Sequence, residues 1–116
     1  MENTNFQRLS TSKFLELYSL SYIINKNSEV YGKEILDTIK QHNLSWSPSH
    51  GSFYPVLNTM LNDGLIQCAY EYDTKKYYNI TEEGRRYFKE RASLFRDALV
   101  KASDFYYKIA ENLPEK

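Results

Sequence analysis

The stretch WSPSHGSFYPVLNTMLNDGLI, residues 46–66, carries two patterns at once. Phe53, Val56, Leu57, Met60 and Leu61 recur at helical spacing, which gathers them on one buried face. Gly51, Ser52, Pro55, Asn58, Thr59 and Asn62 fall on the opposite face, with Tyr54 on the flank. Ser47 followed by Pro48 reads as the helix start, a capping hydroxyl and then a proline at the first helical position. Gly64 reads as the left-handed stop. Pro55 is the anomaly. It has no N–H to donate, and its ring crowds the carbonyl of Gly51 four residues back. A bent or irregular first turn is expected there, with Gly51 giving the backbone room.

The outward face is short and polar. Small side chains let a helix backbone approach a groove floor or a phosphate closely. Asn pairs with adenine edges, and Ser and Thr serve base edge or phosphate. A merely solvated helix would have the same composition, so the face alone leaves both readings open.

Upstream, KFLELYSLSYII from about Ser12 places Phe14, Leu15, Tyr18, Tyr22 and Ile23 on one helical stripe. VYGKEILDTIKQHNL restarts the pattern through Ile35, Leu36 and Ile39 as a second short helix. Downstream, LIQCAYEY and KKYYNIT are β-prone runs around Asp73-Thr74, which reads as a hairpin. Thr81 then caps a last helix, with Glu82 and Glu83 placed to suit its macrodipole.

That last helix carries the most regular signal in the chain. Phe88, Ala92, Phe95, Leu99, Ala102, Tyr106, Ile109 and Leu113 are spaced alternately by four and three, a heptad seam held to the end. At 1.5 Å per residue the helix would run for about 45 Å, more than one small body covers. A second copy of the same helix is the expected partner, making the seam a dimer interface. Folding back over its own domain is the other way to cover it. The aromatics Phe88, Phe95, Phe105 and Tyr106 are read as packing there in preference to lining a ligand space.

The order is three helices, a two-stranded hairpin and a long helix. The fold class expected is mainly α with a small β hairpin: a winged helix-turn-helix over 12–80, a C-terminal dimerisation helix over 81–116 and a loosely ordered tail over 1–11. In such a fold the third helix enters a DNA groove and the hairpin touches the backbone beside it. The residues expected on double-stranded DNA are Ser49, His50, Ser52, Tyr54, Pro55, Asn58 and Thr59 from the helix, and Lys75 and Lys76 from the wing.

Composition sets limits. The 116 residues suffice for one domain with a small core. Fifteen Lys and Arg balance fifteen Asp and Glu, so no global basic field favours nucleic acid. The N-terminus lacks the apolar core of a signal peptide, and no run approaches the ~18 apolar residues of a membrane span. Cys68 is the single cysteine and cannot form an internal disulfide, so a reducing, cytoplasmic location and no membrane partner are expected.

No catalytic constellation stands out. His42 and His50 lie in or beside a turn with no Cys or carboxylate at ligand spacing, so no metal and no other cofactor is expected. Cys68 sits on a β-prone run without a neighbouring base and reads as buried packing. Gly51 and Gly64 form no phosphate-binding loop. The chain reads as a non-enzyme.

YGKEIL, SPSHGSFYPVLNTMLNDGLI and YYNITEEGRRYF resemble, in order, the successive signatures of the PadR family of bacterial transcriptional regulators. The resemblance covers about residues 12–91, and the length is similar to the family's small members with a single C-terminal helix. It implies a homodimeric winged-helix repressor on an inverted repeat near promoters, often its own. It also places Ser49, Ser52, Tyr54 and Pro55 on the DNA-facing side of the recognition helix. Two departures stand out. The wings of family members usually carry several Arg or Lys, whereas Glu71 and Asp73 offset Lys75 and Lys76 here. Some small members bind flat aromatic drugs between tryptophans on the dimer helices, and Trp46 is the single tryptophan of this chain, in the turn before the third helix. That drug site is not carried over, and the sequence names no effector.

KFLELYSLSYII, VYGKEILDTI and LNDGLI are also similar to the replication terminator protein of bacilli, another dimeric winged helix. That alternative keeps the fold and the DNA partner and changes the role to fork arrest; it lacks the ITEEG segment. The alternative without DNA is a winged helix used as a protein-interaction module. Local charge separates these readings: a DNA binder gathers Arg8, Lys13, Lys75, Lys76, Arg85 and Arg86 on the side of the third helix and leaves the acids elsewhere.

Overall fold

The computed structural model describes residues 9–42 and 48–115. In chain order it has α1 (Thr11–Lys26), β1 (Val30–Tyr31), α2 (Gly32–Lys40), α3 (His50–Asn62), β2 (Ile66–Tyr72), β3 (Lys75–Ile80) and α4 (Glu82–Glu111). This is a winged helix followed by one long helix. Residues 1–8 of the expected tail, with Arg8, lie outside the described residues, as do Trp46 and the expected cap Ser47.

The core draws on every element before α4, which adds Tyr87 and Phe88 against its edge. Leu15 and Leu20 of α1, Ile35, Leu36 and Ile39 of α2, Phe53, Leu57 and Met60 of α3, and Tyr78 of β3 are buried in one cluster. The α1 stripe expected from spacing needs correction. Leu17, Leu20 and even Ser19 are fully buried, while Phe14, Tyr18 and Tyr22 are only partly covered. α1 is contacted by α3, α4 and β3, so a single amphipathic stripe does not describe it.

The sheet holds a strand that periodicity missed. Val30 and Tyr31 pair antiparallel with Tyr78 and Tyr77, so the order is β1-β3-β2 and the second helix begins at Gly32. A two-residue strand has no pattern of its own; a partner about 47 residues away creates it. Gly32 suits the join, because a Cβ there would meet Leu57 Cδ2 at 3.2 Å.

The expected hairpin is present, with Asp73 and Thr74 at its tip, both at positive φ (53° and 65°). Positive φ at both central residues is the type I′ requirement, normally met by Asn-Gly. β2 is an edge strand, exposed beyond Ile66, and its register shifts between Cys68 and Tyr70. Cys68 is therefore exposed, contrary to its reading as buried packing, and its thiol donates weakly to the Tyr70 carbonyl at 3.5 Å.

α3 begins two residues later than Ser47-Pro48 suggested. Ser49 is the N-cap, its hydroxyl accepting from the Ser52 N–H at 3.2 Å. The bend expected at Pro55 does not interrupt the helix, which is continuous from His50 to Asn62. Irregularity is confined to the first turn, where the Ser49 carbonyl accepts from both Ser52 and Phe53. Proline at the sixth helical residue removes one donor, the one that would reach Gly51, and leaves the later bonds intact. Outside the helix's own backbone, a Cβ on Gly51 would meet only Ser49 Oγ, at 3.6 Å, an ordinary contact. The exit is a Schellman turn: Gly64, at φ 76°, donates to Leu61 O and Leu65 donates to Met60 O.

α4 is anchored before it projects. The Thr81 side chain accepts from the Gly84 N–H at 2.9 Å and its hydroxyl donates to the Gly64 carbonyl at 2.6 Å. Farther along, Glu16 of α1, 8 % exposed, accepts from the Tyr87 hydroxyl at 2.6 Å and from Lys13 Nζ at 3.0 Å. The Arg91 guanidinium lies 3.7 Å from the centre of the Tyr87 ring. Phe95 packs its ring 6.1 Å from that of Phe14 and is the last buried residue of the helix.

Candidate nucleic-acid interface

α3 turns its apolar side to the core and its short polar side outward. Ser49, His50, Gly51, Ser52, Pro55, Asn58 and Thr59 are all exposed along it, and Tyr54 is half-buried at its edge. The sequence therefore placed these residues on one surface, and the fold leaves that surface uncovered among the described residues. Some of its polar groups are already engaged. Ser49 is committed as the cap, and the Thr59 hydroxyl donates to the Pro55 carbonyl at 3.0 Å. His50 and Tyr54 lean together, with ring centres 5.7 Å apart. Asn58 presents its amide to solvent near the middle of the face.

Two clefts flank this helix. On the α1 side, a groove of ≈ 620 Å³ runs between Ser10–Lys13 and the Ser52–Thr59 edge, with Glu16 in its wall. Lys13 is thus on the α3 side, as a DNA binder requires, though its ammonium is shared with Glu16 and Tyr87. On the wing side, a smaller cleft of ≈ 170 Å³ is lined by Tyr31, Lys33, Tyr54, Lys75 and Lys76. Lys75 and Lys76 open β3 directly after the turn, and Thr74 of the turn lines the same cleft, so the tip end of the wing faces the helix.

Tyr31 and Lys33 are residues that spacing did not single out. Tyr31 reaches the cleft because β1 pairs it with Tyr77, whose ring is 5.8 Å away. Lys75 Nζ sits 5.2 Å from the centre of the Tyr31 ring. Burial pushes the Tyr54 phenol above its usual range; the neighbouring Tyr31 adds to this and Lys33 opposes it. These three groups are therefore within electrostatic reach of one another. Lys33 also bonds Asp37 at 3.0 Å across an exposed helical turn, a pair of little energetic weight.

The remaining cations of the expected set lie elsewhere. Arg86 pairs with Glu83 along α4, and Arg85 lines a separate cleft with Asn27, Glu29 and Asn79. The basic surface is accordingly narrower than the sequence suggested, and the acids inside it, Glu16 and Asp37, are each held by a lysine.

The seam on α4 divides in two. Phe88 and Phe95 pack on their own domain. Beyond them Leu99, Tyr106, Ile109 and Leu113 are exposed, Tyr106 at 66 % and Leu113 at 60 %. Leu94, Val100, Phe105 and Tyr107 are exposed as well and lie off the four-three spacing, so the uncovered apolar strip is wider than one coiled-coil edge. Among the described residues, no helix is long and apolar enough to cross a membrane.

Comparison with known proteins places the fold. The model of the transcriptional regulator PadR-like family matches residues 20–90, more than half of the chain. The chain therefore belongs to this family. A PadR-like transcriptional regulator from Bacillus cereus is 27% identical, with a TM-score of 0.58 over 92% of this chain and 99% of that one. A transcriptional regulator from Clostridium thermocellum is 21% identical, with a TM-score of 0.64 over 90% of this chain and 98% of that one. The circadian clock associated protein Pex from Anabaena reaches the same TM-score of 0.64 at 12% identity, over 89% of this chain and 99% of that one, a likeness of fold alone. No curated protein matches the sequence. Family membership makes the chain a DNA-binding transcription regulator of the winged-helix type.

Proposed function

We propose that this PadR-like chain acts as a homodimeric repressor, each copy reading one half of an inverted-repeat operator. The exposed polar face of α3 carries the reading: Ser49, His50, Ser52, Tyr54, Pro55, Asn58 and Thr59 stand together beside two clefts that bear Lys13, Lys75 and Lys76. In this arrangement Asn58 supplies base discrimination through its amide, the hydroxyls meet base edges or phosphates, and the small residues let the backbone come close. Lys75 and Lys76 hold the DNA backbone.

The second copy covers the outer half of α4. Leu99, Ala102, Tyr106, Ile109 and Leu113 form the shared seam, and the broader strip through Phe105 and Tyr107 meets other helices of the partner. Phe88 and Phe95, at the root of the seam, hold α4 to its own domain and so fix the separation of the two reading helices, with Ala92 between them. The unit needs no cofactor, and the domain boundaries at 12–80 and 81–116 describe a reading head and a dimer arm. The protein's role is binding without catalysis.

The test is fluorescence anisotropy of the purified protein against DNA upstream of its own gene, followed by selection from random-sequence duplexes. Tight binding that resists competitor DNA and weakens linearly in log salt is expected. Weak, sequence-blind binding in both assays would return the winged helix to a protein-docking role.

A further inference from the structure

The near-neutral wing raises the question of where the DNA backbone is gripped. Lys75 directly follows the wing turn and sits against the Tyr31 ring at 5.2 Å, while Asp73 lies in the turn and Glu71 stands opposite Lys76 on β2. Tyr31 is itself packed in a rung of tyrosines that crosses the sheet: Tyr70 pairs with Tyr77, their rings stacked at 4.8 Å, and Tyr77 pairs with Tyr31. The rung stiffens the floor on which Lys75 rests. Lys33 enters the same cleft from α2, and Tyr54 enters from the reading helix.

We infer that this cleft, where the tip end of the wing meets α2 and α3, is a phosphate seat for the DNA backbone, with Lys33 and Lys75 as its charges and the Tyr31 and Tyr54 hydroxyls as its neutral donors. The inference rests on the DNA-binding reading above and adds two residues, Tyr31 and Lys33, to it. Three considerations favour a phosphate here. Lys33, Lys75 and Lys76 line the cleft together with Tyr31, Tyr54 and Tyr78, ammonium groups and phenols that can donate to an anionic oxygen. Of the acids nearby, Asp37 is held by Lys33, and Glu71 stands in register opposite Lys76 on the neighbouring strand. The cleft opens beside Tyr54, so a strand whose bases meet α3 passes it. The cation–π contact gives Tyr31 a positioning task, that of holding the Lys75 ammonium over the cleft beside the wing turn.

The experiment compares the wild type with Lys33→Ala, Lys33→Arg, Tyr31→Leu and Lys89→Ala on a duplex recovered by selection, at several salt concentrations. Lys33→Ala should weaken binding about fivefold at 0.15 M salt, equally for matched and mismatched duplexes, and lower the salt slope by roughly 0.9. Lys33→Arg should restore both. Tyr31→Leu should lower affinity and slope through Lys75, whereas Lys89→Ala, on the exposed side of α4, should change neither. Circular dichroism and a urea midpoint for each variant separate binding loss from unfolding. Lys33→Ala with the wild-type affinity and slope would overturn the phosphate seat while leaving the DNA reading intact. Wild-type protein that selects no sequence would overturn both.

Discussion

A Cβ on Gly84 would lie 2.0 Å from the carbonyl oxygen of Leu65. The first turn of α4 is thus pressed against the exit of α3 at a spacing that only a residue without a side chain permits. The same carbonyl accepts from Thr81, so cap and glycine act on one point. Gly84→Ala should destabilise the protein by about 1–3 kcal/mol, and by more if α4 is driven off, because Leu65 O is backbone and has little room to yield. Ordinary helix propensity predicts a gain of nearly 1 kcal/mol for this substitution. The urea midpoint therefore decides by its sign.

Thr74 at φ 65° is a β-branched residue in the left-handed region. Such a conformation costs roughly 1–2 kcal/mol outside glycine, set against the backbone entropy that glycine brings to the unfolded state. Thr74→Gly should leave stability unchanged or raise it by up to about 1 kcal/mol, whereas Thr→Gly elsewhere in a strand lowers it. A drop in melting temperature would show that the wing turn is not strained.

The Lys13–Glu16–Tyr87 cluster predicts alkaline behaviour. Burial opposes the Lys13 charge, but hydrogen bonds to Tyr87 and Glu16 outweigh it and hold the ammonium above its usual range. Burial also raises the Tyr87 phenol, and its bond to Glu16 adds to the effect. Both groups keep their protons longer when folded, so their stabilisation is complete below pH ~10 and is lost as pH climbs through the raised values. Tyr87→Phe should cost about 1.5 kcal/mol at neutral pH and flatten the alkaline decline. Urea titrations at pH 7 and across pH 9–11 measure both effects.

Asn58 presents an exposed amide near the middle of the α3 face, with Asn62 one turn on at the helix end. Asn58→Ala should cost roughly 1–3 kcal/mol on the selected duplex and relax preference at one base position, leaving the salt slope unchanged. A uniform loss across all sequences would move Asn58 from base reading to backbone contact.

Leu99 and Ile109, both exposed on the outer half of α4, test the dimer. Leu99→Arg with Ile109→Arg should elute as a monomer at micromolar concentration. Losing the second half-site should weaken operator binding about 10²-fold or more. A double variant that still elutes as a dimer would place the interface elsewhere.

The sequence by itself determined which residues go inside α3 and which go out, because a period of 3.6 needs no partner to be read. It also determined the hairpin with Asp73-Thr74 at its tip, the left-handed Gly64 and the Thr81 cap, all of which are local chemistry. Family membership was legible in YGKEIL, the Tyr54-Pro55 element and ITEEG as motifs, although the close approach of Gly84 to Leu65 O that its glycine permits is visible only in the fold. Tertiary structure alone decided the rest. β1 exists because Tyr77 and Tyr78 pair with it, and Tyr31 and Lys33 join Lys75 only through that pairing. The end of burial at Phe95 follows from where α1 begins, near Phe14, and no seam in one dimension shows where its own domain stops covering it. Cys68 is exposed because β2 is the sheet edge, a property of strand order and not of the strand.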